Sequence, residues 1–182
     1  TVPPGTTKRL SMSLHHSRLC FNPEFLREAS AIEDFINQDR VILGGNTGVA
    51  EIYREVFPDA KIILTDSTTA EMVKYMSNAL LATKVIFANE MYDLCTALGI
   101  KYEEVKDMVA ADPRIGPSHL NVTTLRGFGG KCFPKDIVAL IGFAKGKKVD
   151  HSLLETVWKK NLKIRKERDW EEIAWAVNKT RK

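Results

Sequence analysis

The stretch from Ser67 to Leu98 contains neither glycine nor proline, and it limits the possible folds more than any other feature. Thr68 and Glu71 have the spacing of a capping box, and Gly99 stands where a helix C-terminus favours it. A helix from about Thr69 to Leu98 would be roughly 45 Å long at ~1.5 Å per residue. Its middle, Ala79–Ala88, is apolar nearly all round. Such a helix must be buried, in its own domain or against another subunit. Asp66 then marks a boundary between what precedes the helix and what it organises.

Upstream, Pro3, Pro4 and Gly5 make a stiff turn, after which Thr6 or Thr7 caps a short helix to about His16. Arg18–Phe21 reads as a short strand ended by Asn22-Pro23. With Asn22 as N-cap and Pro23 at the first position, a second helix is expected from Glu24 to about Ile36. Its apolar residues Phe25, Leu26, Ala29, Ile32 and Ile36 fall at helical spacing. Arg40–Gly44 and Lys61–Thr65 are apolar strands, separated by a helix from Val49 to Phe57 that Pro58 ends. This alternation predicts a parallel sheet with crossovers. The expected fold class is α/β followed by all-α. Residues 1–66 form the α/β part, 67–150 a helical part built on the long helix, and 151–182 a helical tail.

Downstream, Tyr102–Ala111 is helical and Asp112-Pro113 ends it. The irregular segment Arg114–Lys131 is long for a compact domain, which favours a functional loop. It runs into Arg126-Gly-Phe-Gly-Gly-Lys-Cys-Phe-Pro-Lys-Asp136, and a helix is expected from Pro134 to about Lys147. Cys132 then lies just before a helix N-terminus, where the macrodipole favours a thiolate, with Lys131 and Lys135 adding positive charge. The N–H groups of Gly127, Gly129 and Gly130 can cradle an anion. The stretch reads as a nucleophilic thiol beside an anion site. The alternative is a glycine-rich helix entry in which the cysteine has no role. A last helix is expected from about Ser152 to Trp170.

Lys74 and Asn78, four apart on the long helix, share a face with Leu81, Ala82 and Val85. Polar groups on that face need partners: either they serve a site, or Lys74 reaches solvent and Asn78 bonds a loop carbonyl. Glu24, Glu28 and Asp136 fall in first helical turns, which the dipole favours for carboxylates with or without a chemical role. The three cysteines lack a framework spacing and point to a reducing compartment, with Cys20 and Cys95 as small buried apolar side chains. His15, His16, His119 and His151 have no ligand spacing, so no metal site is expected. Lys84 interrupts the longest apolar run and no leader is visible, so a cytoplasmic chain is expected. The net charge of +4 is mild, and the basic residues between Lys145 and Arg168 interleave with acidic ones. That is a solvated face rather than a nucleic-acid platform.

Thr1-Val-Pro-Pro-Gly-Thr-Thr7, Asn22-Pro-Glu-Phe-Leu-Arg-Glu28 with Ala31-Ile-Glu-Asp34, Lys74-Tyr-Met-Ser-Asn78, Asp112-Pro-Arg-Ile-Gly116 and Gly127-Phe-Gly-Gly-Lys-Cys-Phe-Pro-Lys-Asp136 occur in this order. Together they resemble the UDP-glucose/GDP-mannose dehydrogenases, a family acting on nucleotide sugars. The resemblance implies the second half of a Rossmann-like NAD domain, then a 6-phosphogluconate-dehydrogenase-like helical domain that forms a homodimer. It implies NAD-dependent oxidation of a sugar C6 alcohol to a carboxylate in two hydride transfers, with UDP-glucose the expected substrate. By that resemblance Cys132 traps the aldehyde as a thiohemiacetal, later a thioester that water hydrolyses. Lys74 stabilises oxyanion charge, Asp136 works with a water, and Glu28 assists near that water and the cofactor. Asn78 holds the sugar, and Glu24, Phe25 and Leu26 serve the nucleotide side. Asn121 to Leu125, with Gly129, wrap the diphosphate and sugar. Thr1, Glu28 and Lys135 match positions that touch NAD, and Arg114 matches an arginine that reaches into the neighbouring subunit's site.

The sequence departs from the family pattern in a slightly longer segment between Arg114 and Gly127 than some relatives have, and in two larger respects. The G-x-G-x-x-G turn of the dinucleotide fold is absent, since Gly44-Gly-Asn-Thr-Gly48 lacks its spacing, and the family's third domain has no counterpart. The chain therefore reads as part of a larger enzyme, with negligible activity expected of it alone. GDP-mannose or a UDP-N-acetyl-hexosamine is the alternative substrate. A non-catalytic dimerisation or sugar-nucleotide-binding module is the alternative of a different class.

Overall fold

The computed structural model describes residues 1–15, 18–27 and 30–172. The chain divides into two compact units, Thr1–Met76 and Ser77–Lys182. Among the described residues the helices and strands are α1 (Thr6–Ser13), β1 (Cys20–Phe21), α2 (Ala31–Ile36), β2 (Arg40–Gly45), α3 (Ala50–Val56), β3 (Lys61–Thr65), α4 (Ser67–Ala97), α5 (Tyr102–Ala110), α6 (Cys132–Gly146) and α7 (Ser152–Ile164). A short 3-10 turn, Asp169–Glu172, follows α7.

In the first unit the sheet order is β1-β2-β3. β2 and β3 pair in parallel through the α3 crossover, Val41 opposite Ile62 and Leu43 opposite Leu64, as their apolar runs predict. Val41, Leu43 and Ala50 form the buried centre, with Tyr53, Phe57 and Ile62 packed on it. β1 differs from expectation: it is two residues long and antiparallel to β2, with Cys20 opposite Gly45. The ladder stops because the Asn22 side-chain amide takes the Ile42 carbonyl at 2.8 Å, and Pro23 has no N–H to offer.

Three expected helix starts are also corrected. α2 begins at Ala31, not Glu24. The Glu24 carboxylate accepts from the Leu26 N–H at 3.1 Å, and the Asp34 carboxylate accepts from the Arg27 N–H at 2.8 Å. These local bonds offer the backbone an alternative to the helix. α1 is capped by neither threonine; Gly5 precedes it in a left-handed conformation, φ 90°. The Glu71 carboxylate, fully buried, accepts from the N–H groups of Gly5 at 2.5 Å and Thr7 at 2.8 Å. Glu71 therefore does not close a capping box with Thr68. Asp66 caps α4 instead, accepting from the Thr69 N–H at 3.0 Å and its hydroxyl at 2.5 Å.

The second unit holds most of α4 together with α5, α6 and α7. Ala88, Cys95, Tyr102 and Leu120 form one buried cluster, as expected for Cys95, whereas Cys20 in the first unit is only half-buried. A run of ring contacts, His119–Phe133 (5.6 Å), Phe133–Phe128 (6.0 Å), Phe128–Trp158 (6.2 Å) and Trp158–Trp170 (5.5 Å), ties the long loop to both later helices. α7 ends at Ile164 rather than Trp170, because Arg165 turns extended and its guanidinium donates to the carbonyls of Glu167 and Arg126. α4 has one side buried around Ala82 and Ala88. Leu80, Phe87 and Leu94 on another side are 57%, 60% and 52% exposed. No helix among the described residues is long and apolar enough to cross a membrane.

Candidate functional site

The glycine turn Arg126–Gly130 is held almost bond by bond. Arg126 and Gly127 both have positive φ, 58° and 52°. Asn89 of α4, almost wholly buried, accepts from Arg126 Nε at 2.7 Å and from the Gly127 N–H at 3.2 Å. Arg126 Nη2 also pairs with Asp93 at 2.7 Å. Asn161 of α7 accepts from the Phe128 N–H at 2.8 Å and donates to the Phe128 carbonyl at 3.0 Å. Asp169 accepts from the Gly130 N–H at 2.8 Å and pairs with Arg165 at 3.5 Å. A side chain would collide at two of these positions, and at Gly127 the backbone is also left-handed. A Cβ on Gly127 would stand 2.3 Å from Asn161 Oδ1, and one on Gly129 2.3 Å from Arg165 Nη2. None of Asn89, Asn161 and Arg165 was singled out by sequence; each looks like an ordinary polar helix position until the turn is placed beside it.

The turn delivers the chain into α6, whose first residue is Cys132, so the thiol belongs to the first turn instead of preceding it, and Pro134 is its third residue. Cys132 is exposed. One turn on, Asp136 is buried at 1% exposure, and two donors meet its carboxylate. Asn78 Nδ2 donates to Oδ2 at 2.6 Å and Lys135 Nζ donates to Oδ1 at 2.6 Å. Asn78 therefore bonds a carboxylate, not a loop carbonyl. Of the two lysines expected to add positive charge beside the thiol, Lys135 is paired with Asp136. A buried ion paired and hydrogen-bonded in this way is what burial of a carboxylate requires.

In the first unit Lys74 is 4% exposed and does not reach solvent. Its ammonium donates to the Glu24 carbonyl at 2.5 Å, pairs with Glu24 Oε1 at 3.0 Å and stands 5.5 Å from the centre of the Phe25 ring. Glu24 thus partners a buried cation from irregular backbone, and the expectation that it opens a helix is overturned. Leu26 follows it in the same irregular segment. Glu28 lies outside the described residues. Thr1 is exposed.

The long loop contributes a small hollow of about 310 Å³, lined by Val85, His119, Asn121, Thr123, Phe128 and Gly129 among others. Of the loop residues expected at a substrate, Asn121 and Gly129 meet there, while Leu125 is not in the lining and is 39% exposed. His119 was missed. Burial, and then the charge of Lys84, push its imidazole below the ordinary histidine value. Arg114 projects into solvent and is gripped by Asp112, Nε to Oδ1 at 3.0 Å and Nη2 to Oδ2 at 2.6 Å. These bonds hold the Asp112 carboxyl below the usual carboxylate range.

The glycines at the end of β2 do not form a pyrophosphate cradle. The Gly48 N–H is taken by Asn46 Oδ1 at 2.9 Å and the Asn46 N–H by the Leu19 carbonyl at 3.0 Å.

Known proteins share this arrangement of segments. Residues 1–70 match the NAD binding domain of the UDP-glucose/GDP-mannose dehydrogenase family, and residues 68–163 match its central domain. A UDP-glucose 6-dehydrogenase of Rickettsia prowazekii is 42% identical over 171 residues, covering 88% of this chain and 39% of the relative. The UDP-glucose 6-dehydrogenase TuaD of Bacillus subtilis is 39% identical over 175 residues, with 91% and 38% coverage. Among solved structures, a UDP-glucose dehydrogenase from Pyrobaculum islandicum superposes with a TM-score of 0.79 at 36% identity, covering 90% of this chain and 40% of that one. The chain thus spans about two-fifths of the length of the curated relatives it matches. The central-domain match by itself takes in more than half of the sequence, from before Lys74 to beyond Asp136, and on that ground the chain belongs to the UDP-glucose/GDP-mannose dehydrogenase family.

Proposed function

We propose that this chain carries the thiol half of an NAD-dependent dehydrogenase that oxidises the C6 alcohol of UDP-glucose to a carboxylate. The observation that supports it most is the pairing of Asn78 and Lys135 on the buried Asp136 carboxylate, one helical turn from the exposed Cys132. Thr1 and Lys135 are the described residues that would hold NAD, which when bound supplies the acceptor for both hydrides leaving C6. The Cys132 thiolate adds to the C6 aldehyde, a C–S bond forms, and Lys74 stabilises the charge that develops on oxygen. Loss of the second hydride leaves a thioester. Water then attacks its carbonyl, the C–S bond breaks, and the thiolate returns as the carboxylate departs. Asp136 orients that water and Glu28 assists it. Asn78, Asn121 and Gly129 hold the sugar and diphosphate.

The exposed apolar side of α4 at Leu80, Phe87 and Leu94 supports a homodimer, the assembly in which Arg114 would serve a neighbouring subunit's site. Substrate choice among UDP-glucose, GDP-mannose and UDP-N-acetyl-hexosamines follows the relatives' names: a UDP-D-ManNAc dehydrogenase from Pyrococcus horikoshii also superposes, at 27% identity and a TM-score of 0.75, below the UDP-glucose enzyme on both measures.

Calorimetry with UDP-glucose on the purified chain tests this reading. Saturable binding is expected, weakened by Asn78→Ala. NADH formation from UDP-glucose and NAD is expected to be negligible, because the sequence has no dinucleotide glycine turn. Absence of any saturable heat would remove the substrate assignment, and steady NADH production would overturn the expected inactivity.

A further inference from the structure

The segment that follows α7 does not continue the helix; it folds back against the glycine turn. Arg165 leaves α7 with extended backbone, φ −79° and ψ 119°. Arg168 Nη2 then donates to the Leu162 carbonyl at 3.2 Å, which satisfies one of the carbonyls left open at the end of α7. Trp170, 1% exposed, fixes the far end through its ring contact with Trp158 at 5.5 Å. Residues 165–170 thus form a strap anchored at both ends, and none of them has a part in the oxidation as assigned above.

The strap meets the chain on both sides of Cys132. Ahead of the thiol, Asp169 Oδ2 accepts from the Gly130 N–H at 2.8 Å, and Arg165 Nη1 donates to the Arg126 carbonyl at 3.2 Å. Arg165 and Asp169 also fill the place of a side chain on Gly129, where a Cβ would lie 2.3 Å from Nη2 of one and 2.6 Å from Oδ1 of the other. Neither lines the hollow to which Gly129 contributes, so the strap supports the turn without occupying that hollow. Beyond the thiol, Trp170 continues through Trp158 and Phe128 to Phe133, the residue next to Cys132.

Gly130 is the point where this support matters most. It has φ +70° and stands two residues before the thiol. Glycine does not restrict its own dihedrals, so the direction in which the chain enters α6 depends on bonds made from outside the turn. Asp169 supplies such a bond. Its charge is offset by Arg165 at 3.5 Å, so the carboxylate holds the backbone with its own cation beside it. Reacting groups held in one geometry gain rate, and that geometry is only as firm as the bonds behind it.

We propose that Asp169, seated by Arg165 and Trp170, is a positioning residue that sets the Cys132 thiol through Gly130. The proposal rests on the reading of Cys132 as the nucleophile and adds to it the segment that aims the thiol.

The rate at which iodoacetamide alkylates Cys132, followed by peptide mass spectrometry, tests it in two variants. Asp169→Asn keeps an acceptor for Gly130 and removes the charge, whereas Asp169→Ala removes both. The ratio of their rates therefore isolates the bond. Asp169→Ala is expected to react about fivefold more slowly than Asp169→Asn, the factor that one ordinary hydrogen bond is worth. Gly99→Ala lowers stability at a site apart from the turn and should leave the rate unchanged. Equal rates for the two Asp169 variants, or the same slowing in Gly99→Ala, would overturn the proposal. If circular dichroism shows that Asp169→Ala alters the fold, hydrogen exchange of the unsubstituted chain decides: slow exchange of the Gly130 amide supports the strap, and exchange as fast as in an exposed loop overturns it. Protection of Cys132 by UDP-glucose, read in the same assay, keeps the two readings apart. Lack of protection with the rate difference intact counts against the substrate reading alone, and protection with equal rates removes the strap alone.

Discussion

Asn161 satisfies both backbone polar groups of one residue: its Oδ1 accepts from the Phe128 N–H at 2.8 Å while its Nδ2 donates to the Phe128 carbonyl at 3.0 Å. Asn161 is itself fully buried, so neither group has water as an alternative. Asn161→Ala leaves a donor and an acceptor unpaired inside the second unit, and each such group costs about 1–3 kcal/mol. Urea unfolding is expected to show a loss of roughly 3 kcal/mol. A loss below about 0.5 kcal/mol would mean that the turn is held by something else.

Two glycines with similar dihedrals should respond very differently to alanine. Gly127 (φ +52°) would drive a Cβ to 2.3 Å from Asn161 Oδ1, whereas Gly99 (φ +69°) has nothing within 4 Å. Gly99→Ala carries only the left-handed backbone penalty, roughly 1–2 kcal/mol. Gly127→Ala adds a collision with a side chain that is already committed, and it should lower the melting temperature by clearly more. Equal shifts for the two variants would contradict the packing described around the turn.

Thiol accessibility separates the three cysteines. Cys132 is exposed, Cys20 intermediate and Cys95 buried. Iodoacetamide followed by peptide mass spectrometry is expected to find Cys132 alkylated first and Cys95 last, and UDP-glucose to slow the first reaction. Alkylation of Cys95 ahead of Cys132 would reverse the assignment of the reactive thiol.

His119 ties stability to pH with a definite sign. Its folded value lies below the ordinary 6.5 because of burial and then Lys84. The unfolded chain therefore binds more protons between the folded value and 6.5, and stability rises with pH across that window. The contribution is fully present above 6.5 and is lost as the pH falls toward the folded value. Imidazole proton NMR of Lys84→Gln should show His119 titrating nearer to 6.5; an unchanged midpoint would leave burial as the whole cause.

Much of this architecture was readable from local chemistry. The apolar runs of β2 and β3 and the glycine-free span of α4 match their expected bounds within two residues, because propensity and burial agree there. Glu24 misled because local carboxylate bonds, Glu24 to the Leu26 N–H and Asp34 to the Arg27 N–H, divert a segment whose apolar spacing is helical. At the site, Lys74, Asn78 and Asp136 could be flagged as polar residues on apolar faces, since burying them needs partners. The partners could not be named, because Glu24 is 50 residues from Lys74 and Asp136 is 58 from Asn78. Asn89 and Asn161 gave no signal at all: an amide on a helix has no period of its own, and its role arises only when a distant turn needs its bonds.

The Glu71 carboxylate has a consequence for the order in which this chain folds. The first helix is only eight residues long, too short to persist alone in water. The carboxylate that closes its N-terminus lies 64 residues from Thr7 and 66 from Gly5. Bringing those ends together requires closure of a long loop before any bond is gained, so such contacts form late. This helix is thus made before the segment that completes it, and its completion reports that α4 is already in place.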